Sequence, residues 1–159
     1  MKHSSYDASC GVCKQNAGDV PVDGGVIFEN ALWLVRHAPP PHPLAGWTML
    51  HTQRHVQGPA RFNEREARSF GPTLHHLAAA VEKLAGAARV YVVAFGESFP
   101  HMHAHLIPRY SDRPDTAAWG AADLYRAVAA KKAPAADPAK VSSYIAAMKA
   151  HLVENPPPA

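Results

Sequence analysis

The chain of 159 residues has few charged side chains and only two cysteines. Charged residues make up 18% of it, below the roughly 25% that is usual in globular domains. Lys and Arg together number 16 against 13 for Asp and Glu. This small, scattered excess argues against a nucleic-acid-binding protein, although it would not repel an anionic substrate. Two cysteines are also too few for a disulfide scaffold.

Long apolar runs are absent as well. None approaches the roughly 18 residues of a membrane-spanning helix, so we expect no membrane partner. No charged-then-apolar leader opens the chain, which favours a cytoplasmic protein. Apolar residues nevertheless make up 47% of the sequence, enough for one core. We therefore expect a single domain over residues 1–159, with a polar segment 1–25, a core 26–110 and an Ala-rich helical tail 111–159.

Short apolar stretches predict the strands of a sheet. The first two flank the turn-friendly Asn30 and predict a hairpin, and the fourth is entirely apolar and predicts a buried strand. The predicted strands are 26–28, 32–35, 47–50, 90–94 and 101–107.

Two helices are predicted from their periodicity and caps. The longer runs from Asn63 to Leu84, with Asn63 and Glu66 at the spacing of a capping box. Pro72 lies within it and predicts a kink or a later start. A C-terminal helix begins after Asp137. Strands interrupted by one long helix predict an α+β domain with an antiparallel sheet of about five strands.

Histidine is the unusual residue, with 11 in the chain. His101, His103 and His105 alternate with apolar residues, so on an extended strand they share one face. Neighbouring rings would lie about 6.5 to 7 Å apart, close enough to surround one phosphate or one metal ion. Three charged imidazoles would repel, so at least one is expected to be neutral near pH 7, with a lone pair for attack or ligation. Chance surface histidines and a metal site formed by the triplet itself are the alternatives.

The two cysteines form the motif Cys10-Gly11-Val12-Cys13. This spacing is that of a metal-binding pair, but one pair supplies only half a site. A redox pair and two unrelated buried thiols are the alternatives. Spacing alone does not select the missing ligands among 11 histidines.

The stretch 101–107 resembles the His-x-His-x-His-x-x signature of the histidine triad (HIT) proteins. Pro108-Arg109-Tyr110 continues as in many members, and Gly96-Glu97-Ser98 lies where the family usually has Gly-Gln-Ser or Gly-Gln-Thr. The likeness extends from Cys10 to about Tyr110. It implies the HIT-like fold, a nucleotide substrate and a homodimer.

The resemblance also implies an activity, that of a nucleotidyl hydrolase or transferase. His103 would attack the α-phosphorus of a nucleotide ester, anhydride or phosphoramidate and form a covalent nucleotidyl-histidine. His105 would hydrogen-bond the phosphoryl oxygens or help to protonate the leaving group, and Ser98 would donate to the phosphate. The alternatives are a catalytically weak, regulatory HIT protein that binds nucleotides or anions, and metal-dependent hydrolysis at the triad.

The resemblance further implies a structural zinc site. One branch of the family, which includes dinucleoside polyphosphate hydrolase-like and phosphoramidase-like members, binds Zn²⁺ through a Cys-x-x-Cys, a mid-chain histidine and the first triad histidine. By this likeness the ligands are Cys10, Cys13, His55 and His101, a closed set typical of a structural ion. His51, four residues before His55, is the alternative ligand.

The resemblance is weaker in the nucleoside pocket. Family members usually carry an Asp after the second strand that holds the ribose hydroxyls, whereas Leu34-Val35-Arg36-His37 occupies that region here. His37 or Arg36 is then a candidate substrate contact, although a guanidinium cannot accept a hydrogen bond from a hydroxyl. Glu97, also placed near the substrate, would disfavour highly charged polyphosphates.

Two residues after the triad have two interpretations each. Arg109 is either a phosphate clamp that binds substrate or a member of a surface ion pair. Trp119 is either an aromatic lid over the pocket or part of the core, and we expect it to pack against the core.

Overall fold

The computed structural model describes residues 2–158. Its strands are β1 (Phe28–Glu29), β2 (Trp33–His37), β3 (Thr48–Thr52), β4 (Arg89–Val93) and β5 (His103–Arg109). All neighbours are antiparallel, and the five strands form one sheet in the order β1-β2-β3-β5-β4. The α+β class and the five-stranded antiparallel sheet are confirmed.

The predicted hairpin forms around Asn30. The side-chain oxygen of Asn30 accepts hydrogen bonds from the backbone N–H groups of Leu32 (2.9 Å) and Trp33 (2.8 Å). Asn closes the turn because its short side chain can bond to the backbone that follows it.

The helices are α1 (Gly11–Ala17), α2 (Glu64–Ala85), α3 (Gly120–Ala129) and α4 (Pro138–Glu154). Asn63 caps α2 as predicted: its side chain accepts from the Glu66 N–H at 2.9 Å, and the Glu66 carboxylate accepts from the Asn63 N–H at 2.8 Å. The late start predicted from Pro72 is wrong, because α2 is continuous from Glu64 and includes Pro72. The stabilisation from the capping box exceeds the cost of the one helical hydrogen bond that Pro72 cannot donate.

The sheet has a different layer on each face. One face packs against α2 and α4 in the larger core, to which β3 and β5 contribute Leu50, Ala104 and Leu106. The opposite face packs against α3 through Met49 and Ile107. Successive side chains of a strand point to opposite faces, so the histidines of β5 lie on the side of α3.

Two strand predictions need correction. The stretch 90–94 was expected to be buried, but β4 is the edge strand, and Val92 is 44% exposed. Strand β5 begins at His103, so His101 lies just before the strand instead of within it. No helix within residues 2–158 is long and apolar enough to cross a membrane.

Candidate active site and metal centre

A cleft of about 760 Å³ lies on the α3 side of the sheet. Strands β2, β3, β4 and β5 contribute its floor, and α3 and the loop after β4 contribute its walls. The candidate catalytic residues His103, His105 and Ser98 line this cleft. The candidate substrate contact Glu97 lines it as well.

His103 has one ring nitrogen tied to the backbone. Its Nδ1 lies 2.7 Å from the carbonyl oxygen of His101. A carbonyl only accepts hydrogen bonds, so Nδ1 carries the proton and Nε2 keeps its lone pair. Burial lowers the pKa of His103, which favours this neutral form.

His105 is held in the opposite tautomer. The indole N–H of Trp47 donates to His105 Nδ1 at 3.0 Å. An indole N–H cannot accept, so in neutral His105 the proton is on Nε2. Burial, followed by the influence of His103 and of Arg36, lowers the pKa of His105 to about 4.

The two rings therefore offer complementary chemistry. Their centroids are 5.2 Å apart. His103 presents a lone pair that can attack an electrophilic atom. His105 presents an N–H that can stabilise the oxygen atoms bonded to that atom. Sequence reasoning missed Trp47 as the residue that orients His105. An indole that faces a histidine on a neighbouring strand is not recognisable before the strand register is known.

Ser98 and Glu97 lie in the loop after β4, beside the histidines. Both side chains are exposed and line the cleft. Ser98 thus brings to the cleft a hydroxyl that can donate, and Glu97 brings a carboxylate.

A second pair occupies the cleft floor: Arg36, named above as a candidate substrate contact, contacts His51, a pairing that the sequence did not predict. Arg36 is only 3% exposed, and its Nε donates to Nε2 of the fully buried His51 at 2.9 Å. The His51 ring in turn stacks on that of His103, with centroids 5.7 Å apart. Burial lowers the pKa of Arg36 to about 10, so its guanidinium is charged at pH 7.

His37, predicted to bind substrate, lies on the other face of the sheet. It is fully buried, its Nδ1 is 2.9 Å from the Ala38 carbonyl, and its Nε2 accepts from the Gly46 N–H at 3.2 Å. Its ring packs against Tyr144 of α4. The prediction is corrected because adjacent strand residues alternate between faces: Arg36 faces the cleft and His37 does not.

Arg109, the second predicted substrate contact, is also outside the cleft. It is the last residue of β5, and its Nη1 donates to the Arg113 carbonyl at 3.4 Å. It lies four positions along the strand from His105, about 13 Å at the rise of an antiparallel strand. It forms no ion pair with any residue in 2–158, and it does not line the cleft.

Trp119 does not pack into the core. It is 80% exposed and lines the cleft at the start of α3. The expected packing is wrong, and the position is that of the alternative, an aromatic side chain at the mouth of the pocket.

The four predicted metal ligands come together at one end of the sheet. The ligand atoms of Cys10, Cys13, His55 and His101 all lie within 4.8 Å of one another. Cys13 Sγ is 3.3 Å from Nδ1 of His55 and 3.4 Å from Nδ1 of His101. Nδ1 of His101 is also 3.7 Å from Cys10 Sγ. His51 is not a member, because β3 directs it into the cleft and the chain leaves the strand before His55.

The surroundings orient this cluster. Nε2 of His101 lies 2.8 Å from the Thr52 carbonyl, which fixes the proton on Nε2 and leaves Nδ1 free to bind a metal. In the absence of a metal ion, burial raises the pKa of the Cys13 thiol to about 11.

Comparisons with known proteins support the fold through structure alone. No model of a protein family matches the sequence, and no curated protein matches it. Solved structures do match, among them several described as HIT or histidine triad proteins.

Three of these solved structures cover most of the chain. A HIT-like protein from Bartonella henselae, described as involved in cell-cycle regulation, has a TM-score of 0.65 at 15% identity over 91% of this chain and 98% of its own. A zinc-bound histidine triad family protein from Mycobacterium smegmatis has a TM-score of 0.64 at 18% identity, with coverages of 92% and 96%. A hypothetical histidine triad nucleotide-binding protein from Sulfolobus tokodaii has a TM-score of 0.67 at 12% identity, with coverages of 91% and 93%. The fold is thus that of the HIT proteins.

Proposed function

We propose that this protein is a nucleotidyl hydrolase or transferase that acts through a covalent nucleotidyl-histidine at His103. The main support is the hydrogen bond from His103 Nδ1 to the His101 carbonyl, which leaves the Nε2 lone pair in the cleft. The HIT-like fold and the nucleotide-binding description of the Sulfolobus protein are consistent with a nucleotide substrate.

The reaction has two steps. The Nε2 lone pair of His103 forms a bond to the α-phosphorus, and the bond from phosphorus to the leaving group breaks with its electron pair on the leaving group. Water or another acceptor then attacks phosphorus and breaks the N–P bond. Solvent supplies the proton that the leaving group takes up and receives the proton that the acceptor releases, so His103 returns to its neutral form.

His105 and Ser98 serve as donors to the phosphoryl oxygens. The Trp47 N–H occupies Nδ1 of His105, so His105 acts as a hydrogen-bond donor through Nε2–H and not as a proton source for the leaving group. Donors placed in advance are most effective where negative charge develops in the transition state.

The experiment is mass spectrometry of protein incubated with candidate nucleotides and quenched in acid-free buffer. Wild-type protein should gain the mass of a nucleotidyl group on a peptide that contains His103, and His103→Ala should not. His75→Ala, an exposed change on α2, serves as the control and should retain the adduct. Binding without adduct or turnover would instead favour the catalytically weak, regulatory alternative.

We also propose that the cluster of two cysteines and two histidines holds a structural Zn²⁺. A tetrahedral zinc ion with bonds of about 2.3 Å to sulfur and 2.0 Å to nitrogen places its ligands about 3.5 Å apart, and the S–N separations of 3.3 to 3.7 Å match. The zinc-bound description of the Mycobacterium protein is consistent with it. An ion bound there cross-links the N-terminal segment to the residue whose carbonyl orients His103.

Homodimer formation is the last part of the proposal. β4 is an edge strand, and the apolar Val92 and Phe95 at that edge are 44% and 56% exposed. An exposed strand edge is suited to pairing with a second chain. Light scattering coupled to size-exclusion chromatography should give twice the mass of 17.1 kDa, and a monomer at micromolar concentration would contradict this part.

A further inference from the structure

The guanidinium of Arg36 is a buried cation without an anionic partner. The residue is 3% exposed, and its Nη1 is fully buried with no hydrogen-bond partner in the described part of the chain. No carboxylate of residues 2–158 lies within ion-pair distance of it. Its side-chain hydrogen bond is the one from Nε to the neutral ring of His51.

Folding does not account for this arrangement. Burying a charge is costly unless it is paired, and a hydrogen bond to a neutral imidazole offsets only part of that cost. Charges buried for structural reasons are normally paired, as the buried carboxylate of Glu66 is with Nη2 of Arg54 at 2.6 Å. Arg36 differs because it lines the cleft, where a ligand can supply the missing charge.

We propose that Arg36, positioned by His51, binds a second oxyanion of the substrate, a phosphate or carboxylate group other than the phosphoryl group that His103 attacks. A guanidinium N–H that faces the cleft can donate a charge-assisted hydrogen bond to such a group. This inference rests on the proposed function and specifies its substrate class, a nucleotide that carries an additional anionic group.

The strand order places this subsite beside the reacting centre. Arg36 is on β2 and His103 on β5, with β3 between them. Neighbouring strands are about 4.8 Å apart, so the two backbones are separated by about twice that distance, and the His51 ring fills the space between. A group bound at Arg36 is therefore adjacent to the attacked phosphorus and distinct from it.

Charge at the cleft favours the same assignment. Arg126 also lines the cleft, but it is exposed and paired with Asp123 at 2.9 Å. Glu97, an acidic side chain that also lines the cleft, is exposed to solvent. Solvent screens both of these charges, whereas the charge of Arg36 acts in a poorly solvated environment where it is stronger.

Matched ligands test the inference by competition binding. A preference for a second phosphate group is probed by comparing AMP with ADP, adenosine 2′,5′-bisphosphate and adenosine 3′,5′-bisphosphate. A preference for a carboxylate is probed by comparing the AMP phosphoramidate of β-alanine with that of propylamine. The propylamine group has the same chain length and lacks the carboxylate. In wild-type protein at least one anionic ligand should bind about tenfold more tightly than its partner, as expected for a charged hydrogen bond. Which arm responds identifies the source of the oxyanion.

Variants separate Arg36 from general electrostatics. Arg36→Gln should abolish the preference and Arg36→Lys should retain part of it, while Arg126→Gln, which removes the exposed cleft cation, should leave it intact. Circular dichroism and thermal unfolding verify that each variant is folded. No preference in the wild-type protein, or a preference that survives Arg36→Gln, would overturn the inference.

Failure of the Arg36 inference can be distinguished from failure of the proposed function at His103. If the wild-type protein forms the His103 adduct but shows no anion preference, only the role of Arg36 fails. If the preference exists and depends on Arg36 but no nucleotide forms an adduct, the proposed function fails and the anion subsite remains.

Discussion

The indole N–H of Trp47 donates to Nδ1 of His105 across the cleft floor at 3.0 Å. Because tryptophan is a donor only, this contact determines which nitrogen of His105 carries the proton. In the nearby His103, a hydrogen bond to a backbone carbonyl places the proton on Nδ1 instead. Two histidines separated by one residue thus have different roles because their partners differ in kind.

Trp47→Phe tests this relationship. The ring remains, but Nδ1 of His105 loses its donor and becomes free to bind a proton, so the Nε2–H is no longer fixed. We expect kcat to fall about 10- to 100-fold with little change in KM. The pKa of His105 in the variant should rise, because Nδ1 no longer accepts the indole N–H and becomes free to bind a proton.

The measurement is a pH–rate profile from pH 4.5 to 8 for both proteins. The wild-type rate should show no titration of His105 above pH 5, since that group is neutral there. In the variant, any titration of His105 should lie at a higher pH than in the wild type. Identical kcat values and profiles for the two proteins would show that Trp47 only packs.

Cys13→Ser tests the metal site. The change replaces a thiolate with a weak ligand, so the metal content should fall well below one Zn²⁺ per chain by elemental analysis. We expect the free energy of unfolding to decrease by about 3 kcal/mol or more, a shift of roughly 6–12 °C in Tm for a chain of this length.

Ser4→Ala is the matched control, since it changes an exposed serine of the same N-terminal segment. It should keep both the metal and the Tm. A Cys13→Ser protein with wild-type Tm would argue against a structural ion. A chelator that removes activity while the Tm is unchanged would indicate a catalytic metal instead.

His37 predicts a specific dependence of stability on pH. Burial is the main cause that lowers its pKa to about 4 from the usual 6.5. Between these values the unfolded chain binds a proton at this position and the folded chain does not. Stability contributed by His37 is therefore present above pH 6.5 and is lost as the pH falls toward 4.

The size of this effect is measured with a variant. Urea unfolding of wild type at pH 7 and pH 5 should show a decrease, of which His37 accounts for about 1 to 2 kcal/mol. His37→Asn should be less stable at pH 7 but lose less on acidification. His75→Asn, at an exposed site, should match the wild-type decrease, and an equal decrease in His37→Asn would contradict the assignment.

The features that sequence could predict are those with local causes. The Asn63 and Glu66 capping box, the turn at Asn30 and the period of two in the triad depend on neighbours within a few residues. The ligand set of the metal cluster came from a resemblance, and the structure brings its members together.

The remaining features depend on strand register. His37 and Arg36 are adjacent in sequence, and only the face assignment of β2 separates a core histidine from a cleft arginine. Likewise, the contacts of Arg36 with His51, and of His51 with His103, cross three strands. Composition and periodicity contain no information about which residues become partners over that distance.

Arg36→Met provides the last test, because it separates a binding role from a structural one. A buried guanidinium without a counter-charge destabilises the folded chain, so a flexible apolar side chain of similar length should leave stability unchanged or raise it by about 1 kcal/mol or more. Urea unfolding at pH 7 without ligand measures this, and Arg54→Met, which breaks the pair with buried Glu66, should destabilise the protein clearly. A stable Arg36→Met protein that has lost its preference for ligands with an additional anionic group would show that Arg36 is retained at a cost in stability for the sake of binding. A loss of stability comparable to that of Arg54→Met would assign Arg36 to the fold instead.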